Sequence, residues 1–349
     1  MKGRTRTVRR ATAAGIAGCA AGLVGLAGVG AVPAAAGLRP QAAKTKPAAT
    51  VKIAYLSFAV QNSYDAPMLA AARAAAARDH AVLRVFDANN SPSTQYSQLQ
   101  DAIASHQYQG IIVQPIFGTG LLGLVKQAIA NHIKVANLDQ ILGPNLGTDH
   151  PQVKGLAANV VFVPTEIGSK LGKLVDKACA RHNPCNVGYM YDIKASALDQ
   201  AVYRGFSSAT KGHANIKIVA QGQSYFTPSD GLSATQNMLQ ANPNLTLIVG
   251  SDQGIEGAQQ AVAAAGKTGK VILVGYGASA AALRGVRSGA WYGDVAQLPA
   301  SEGRIVVNQV VASVRTGRLF PGDDPVAALP NGGVITRANV SKFHAEWPG

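Results

Sequence analysis

From residue 51 onward the chain alternates short, continuously apolar runs with longer alanine-rich stretches. The runs at 51–56, 82–86, 110–113 and 133–138 have strand composition, and 66–78, 93–105 and 121–130 read as helices between them. The second of these helices has Pro92 at its start, where a fixed φ and a missing N–H cost nothing. Strands apolar on every residue, separated by helices, predict parallel strands buried on both faces and therefore βαβ units.

The alternation then begins again. Segments 156–162, 186–190, 216–220, 245–249 and 271–275 read as extended, with helices predicted at 166–180, 197–211, 231–240 and 255–265. Two such series in 349 residues predict an α/β protein of two doubly wound, Rossmann-like lobes with parallel sheets. Ligands of such sheets bind beyond the carboxyl ends of the strands. Those loops are polar and carry aromatics. Ser57 to Asp65 follows the first strand, including Gln61, Asn62, Ser63 and Tyr64, and Asn137-Leu138-Asp139-Gln140 closes the fourth. In the second half the matching places hold Gln200, Tyr225-Phe226, Ser251-Asp252-Gln253, Tyr276-Gly277 and Asp294 to Gln297. Amides, carboxylates and hydroxyls suit a polyol, whose hydroxyls both donate and accept, while aromatic faces cover a ring's C–H surface.

Charge alters this picture only at the amino terminus. The net charge of +14 suggests nucleic acid, yet residues 1–50 hold eight basic residues and no acid, leaving 24 basic against 18 acidic side chains elsewhere without clusters. Residues 1–36 read as a signal peptide: a basic stretch to Arg10, an apolar run over 11–32, and Ala34-Ala35-Ala36 for cleavage. An uncleaved anchor and lipidation at Cys19 are the competing readings, so the protein is expected to be exported, periplasmic or associated with the cell surface. Residues 37–50 read as a disordered tether. Cys179 and Cys185 flank Asn183-Pro184, and an oxidising compartment favours a disulfide between them, with a metal site including His182 as the competing reading.

These loops resemble those of the ribose-type periplasmic binding proteins of ABC importers, over about residues 51–340. Gln61-Asn62-Ser63-Tyr64 is similar to the family's Asn-Pro-Phe segment, whose asparagine bonds sugar hydroxyls and whose aromatic stacks on the ring. Asn137-Leu138-Asp139 matches the Leu-Asp that ends the fourth strand, where the aspartate accepts from hydroxyls. Phe226, upstream of Thr235-Gln236-Asn237-Met238-Leu239 and Asn242-Pro243, holds the place of a second stacking aromatic. Val295-Ala296-Gln297-Leu298-Pro299 is close to the family's Ala-Gln-Leu-Pro, whose glutamine contacts ligand near a hinge crossing. The departures are Gln140 and Gln200 in place of arginines, Ser251 in place of asparagine and Gly277 in place of aspartate. Ribose itself is thereby disfavoured. So is a carboxylated ligand, which no cation would meet while Asp139 remains and Asp65 and Asp294 stand close by in sequence.

The resemblance implies a neutral sugar or polyol, with an amino-bearing ligand as the other option, held by Asn62, Tyr64, Asp65, Asp139, Gln140, Gln200, Phe226, Ser251, Tyr276 and Gln297. It further implies an N-terminal lobe of 51–160 plus 298–325 and a C-terminal lobe of 161–297 plus 326–349, joined by a three-segment hinge, closing on ligand as a monomer and then docking on a membrane permease. A sensory binding protein that presents its ligand to a receptor kinase is the alternative. A sugar-responsive repressor is disfavoured because a signal and tether stand where its helix-turn-helix would be, and no nucleic-acid partner is expected. No cofactor and no catalysis are expected: phosphate-loop and dinucleotide-binding glycine patterns are absent, and Gly250-Ser251-Asp252-Gln253-Gly254 lacks the central serine of a nucleophile elbow.

Overall fold

The computed structural model describes residues 49–349. The signal peptide, Cys19 and the tether up to residue 48 lie outside the described residues. Strand β1 (Val51–Ser57) leads through α1 (Asp65–Arg78) to β2 (Ala81–Asp87), α2 (Pro92–Ala104), β3 (Gly110–Val113), α3 (Leu122–Ala130), β4 (Lys134–Asp139) and β5 (Ala158–Val161). The second series runs α4 (Pro164–Cys179), β6 (Cys185–Tyr191), α5 (Ala197–Thr210), β7 (Ile216–Gln223), α6 (Pro228–Ala241), β8 (Leu247–Val249), α7 (Asp252–Ala264), β9 (Ile272–Gly277), α8 (Ala280–Ser288) and β10 (Gly293–Ala296). The chain ends with α9 (Pro299–Thr316), β11 (Gly322–Asp323) and β12 (Val334–Thr336).

These strands form two six-stranded sheets, ordered β11-β5-β4-β3-β1-β2 and β12-β10-β9-β8-β6-β7. Every pairing is parallel except that of β12 with β10. The central strands β3, β5 and β8 are buried at every residue, as continuous apolar runs between two helical layers require. The edge strand β7 alternates half-buried and exposed positions along most of its length.

In the first lobe Met68 and Ala72 of α1 and Val306 and Val310 of α9 pack with Ile53, Tyr55 and Ile112. Leu99, Ile103 and Val125 cover the opposite face over Leu56, Ile111 and Val135. In the second lobe α4 and α5 bury Leu171, Leu174 and Phe206 on Val187, Leu247 and Val274. Helices α6, α7 and α8 bury Met238, Ile255 and Val286 on Ile248 and Leu273. Full burial of a Leu, Ile, Val or Phe side chain contributes roughly 1.5–3 kcal/mol, so each lobe has a substantial core of its own.

The chain passes between the sheets three times, at Phe162–Val163, at Gln297–Leu298 and between β11 and β12. Cys179, the last residue of α4, is bonded to Cys185, the first of β6, so the turn between them is stapled and neither thiol is left to ligate metal. Among the described residues no helix is long and apolar enough to cross a membrane.

Candidate functional site

The carboxyl ends of both sets of strands converge on a small cavity between the lobes, the place where ligands of such sheets bind. Its first wall is organised by a glutamine. Gln114, following β3, accepts from the Phe58 N–H at 3.0 Å through Oε1. Its Nε2 donates to Asp65 Oδ1 at 2.6 Å and to Asp139 Oδ2 at 3.1 Å, so one amide holds the ends of β1, β3 and β4 in register. Asn62 accepts from the Tyr64 N–H at 2.8 Å, and its carbonyl receives the Ala66 N–H at 3.0 Å, a turn that starts α1 and points Tyr64 inward.

The second wall is organised by an aspartate behind it. Asp192, buried after β6, accepts from the hydroxyls of Ser224 and Ser251 at 2.5 Å each and of Tyr276 at 2.8 Å. Ser251 also caps α7, receiving the Gly254 N–H at 3.4 Å. The lobes touch across the cleft. The Phe58 and Phe226 rings meet edge to face at 6.3 Å, and Gln253 Nε2 donates to Ser63 Oγ at 3.2 Å.

Three residues at this site are left-handed without being glycine: Asp139 (φ 67°), Tyr225 (φ 47°) and Phe226 (φ 58°). Such backbone costs of order 1–3 kcal/mol per residue and collects where function fixes geometry. Here it turns the Asp139 carboxyl and the Phe226 ring into the cleft and leaves Tyr225 exposed.

Among the described residues no Lys, Arg or His lines the cavity. Burial pushes the Asp139 carboxyl up from 3.8 to about 7, against the opposing hydrogen bond from Gln114. Burial and the neighbouring Asp139 charge push Asp65 well above the ordinary carboxylate range. Asp139 Oδ1 has no hydrogen-bond partner, and the Tyr64 hydroxyl beside this carboxyl likewise forms no bond of good geometry. A buried acceptor left unpaired costs about 1–3 kcal/mol, which a ligand donor can recover.

Nine of the ten residues expected at the site line this cavity: Asn62, Tyr64, Asp65, Asp139, Gln140, Phe226, Ser251, Tyr276 and Gln297. Gln200 does not. Helix α5 begins at Ala197, so residue 200 sits a turn inside it, and its amide turns back to donate to the Lys194 carbonyl at 2.6 Å beside a neighbouring groove. Asp294 also stays out of the cavity. Its carboxyl lies with that of Asp252 beside Gly275, and burial and the Asp252 charge raise it far above its usual range. Gly277 has φ 145°, and a Cβ there would press on Trp347 and Asp252, so this position has no room for a side chain.

Sequence reasoning missed Gln114, Phe162, Leu198 and Trp347, and did not select Phe58 or Gln253 from loops it had singled out. The tail residue Trp347 closes the floor of the cavity. It donates to the Gly277 carbonyl at 2.7 Å and meets the Tyr64 ring edge-on at 5.3 Å.

Residues 53–318 match the model of the periplasmic binding protein domain. The D-allose-binding periplasmic protein of Escherichia coli (strain K12) is 31% identical over 232 residues, spanning 65% of this chain and 72% of that protein. A periplasmic solute-binding protein of Actinobacillus succinogenes with bound D-allose superposes with a TM-score of 0.72 at 24% identity, covering 84% of this chain and all of that one. One from Mycobacterium smegmatis with bound glycerol gives 0.71 at 22% identity, covering 86% and 100%. The chain belongs to the periplasmic binding protein family.

Proposed function

We propose that this periplasmic binding protein is the extracytoplasmic receptor of an ABC importer and takes up a small sugar or polyol without an acid group, a neutral one in the first instance. The observation that carries the reading is the cavity itself. Tyr64 and Phe226 approach it from opposite lobes, and between them lie amides, hydroxyls and an Asp139 carboxylate oxygen with no partner in the protein. Aromatic faces match the C–H surface of a sugar ring, and the polar groups match its hydroxyls. The absence of a cationic side chain from the lining sets an acidic ligand at a disadvantage. Relatives named for D-allose and ribose support the same class.

The moving bodies in this reading are residues 51–160 with 298–325 and residues 161–297 with 326–349, rotating about the three crossings. Ligand favours the closed arrangement only by the contacts it makes to both bodies at once. The Phe58–Phe226 and Ser63–Gln253 contacts across the cleft belong to that closed arrangement. Export by the signal at 1–36 and docking of the closed form on a membrane permease complete the proposal. A thermal-shift screen of the mature chain against neutral sugars, polyols and sugar acids tests it, since a ligand bound only by the folded form raises Tm. Neutral sugars or polyols should raise Tm and sugar acids should not. A rise with sugar acids alone would overturn the reading.

A further inference from the structure

The amides of Asn62, Gln140 and Gln297 give this cavity hydrogen-bond donors, but one corner of it is built around two buried carboxyls. On the first wall, Asp65 and Asp139 share the only two N–H groups of the Gln114 amide, and Asp139 Oδ1 remains free. Behind them Glu302 of α9 is wholly buried with both carboxylate oxygens unpartnered. On the second wall Asp192 draws the hydroxyl hydrogens of Ser251 and Tyr276 away from the cleft, so these two oxygens turn lone pairs toward it. Gln253 and Trp347 have N–H groups, but each has one committed to a protein acceptor.

The charged groups facing this corner are almost all acids. Asp65 starts α1, Asp139 ends β4, Asp87 ends β2 and Glu302 comes from α9, with the phenols of Tyr55 and Tyr64 between them. The basic group acting on the cluster is Arg73, which is exposed on the outer side of α1. A buried pair of carboxyls with no counter-charge must hold either a proton or a cation.

We infer that the pocket selects, within the sugar and polyol class, ligands that carry a primary ammonium, and that this group sits at the Asp65–Gln114–Asp139 corner against the free Oδ1 of Asp139. An ammonium is three donors and no acceptor, which complements the two carboxyls and the Tyr64 hydroxyl oxygen at this corner. It also supplies the cation that the protein omits. A hydroxyl at the same place satisfies one acceptor and leaves the charge to a proton. Asp65 is then the residue that distinguishes an amino ligand from its neutral parent, with Asp192 fixing the polarity of the opposite wall. The inference rests on the reading of the cleft as the ligand site.

The test is titration calorimetry of the mature protein with the 2-amino and 3-amino derivatives of D-ribose, D-allose and D-glucose and with 1-amino-1-deoxy-D-glucitol, each beside its neutral parent. At pH 7.5 the best amine should bind at least roughly tenfold tighter than its parent, the margin expected of a charge-assisted contact. Binding should release on the order of one proton, read from the difference in heats between phosphate and Tris buffers, because the ammonium displaces the proton the pair otherwise holds. Asp65→Asn should collapse the ratio of amine to parent toward one. The proton count needs only the unmodified chain, so it decides the matter even if that variant folds poorly. Parents that bind as tightly as their amines, or amines that bind with no proton release, overturn the inference and leave the cleft reading standing. Failure of every amine and every parent to bind overturns both.

Discussion

Replacing Asp139 with asparagine should make the ligand-free protein more stable, and more so at pH 8 than at pH 5. Burial raises this carboxyl from 3.8 to about 7. The folded state therefore holds its proton more tightly than the unfolded chain, and the stability tied to that proton is lost as pH rises from about 4 toward 7. The full span is worth about 4 kcal/mol at about 1.4 kcal/mol for each pH unit, and it is all lost by pH 8. At pH 5 only about 1–2 kcal/mol of the penalty has developed, because the folded group is still protonated there. An asparagine never ionises. Its oxygen can keep the Gln114 bond, and its NH₂ would replace the unpaired Oδ1 next to the Tyr64 hydroxyl, which can accept.

The variant's gain at pH 8 should thus exceed its gain at pH 5 by at least about 2–3 kcal/mol, since Asp65, which the Asp139 charge helps to raise, is relieved at the same time. Asp199, which burial also pushes to about 7, titrates alike in both proteins and cancels from the difference. Urea unfolding at the two pH values, followed by the fluorescence of the buried Trp291 and Trp347, reads the quantity directly. An equal gain at both pH values would refute the argument, since the carboxyl would then have been ionised in the fold throughout. Ligand binding should move the opposite way and weaken, as the free carboxylate oxygen is lost.

Phe226→Ala removes a half-buried ring from one wall and should weaken ligand binding by about 2 kcal/mol, while shifting the Tm of the ligand-free protein little. Binding unchanged in this variant would remove Phe226 from the site. Gly303→Ala would drive a methyl into the Met68 backbone carbonyl where α9 crosses α1. Thermal unfolding should show a loss of about 1–3 kcal/mol, the usual cost of overpacking a rigid contact. Replacing both Cys179 and Cys185 by serine opens a closure with a sequence separation of 6. Loop entropy assigns such a short link roughly 2 kcal/mol, measurable by urea unfolding of the double variant against the parent.

The central strands were legible because a strand covered on both faces must be apolar at every residue, as in Gly110–Val113 and Leu247–Val249. Strands β10, β11 and β12 were not read as strands. They are two to four residues long, and β10 buries Asp294 within it, so neither length nor hydropathy marks them. Helix α8 was passed over as well, since it spans nine residues and carries Gly285 where a Cβ would strike the Trp291 ring. The site was legible where its residues follow long strands directly, as Asn62, Tyr64 and Asp139 do. Gln114 was lost because it precedes Pro115 in what reads as an ordinary turn. Its role depends on Asp65 and Asp139, which are distant in sequence and meet only in the folded sheet. Gln200 was placed among the strand-end residues and by resemblance, but a turn inside α5 its amide donates to the Lys194 carbonyl instead.

The tail that ends in Trp347 touches both lobes. Glu346 accepts from the N–H and hydroxyl of Ser301 at the start of α9, while the carbonyls of Trp347 and Pro348 receive the N–H groups of Ala280 and Ala281 at the start of α8. The carboxyl end of the chain is therefore wired to the cleft, a few residues from its floor. A fluorophore or reporter domain fused there would feel opening and closure mechanically, which makes that end the natural attachment point for a biosensor.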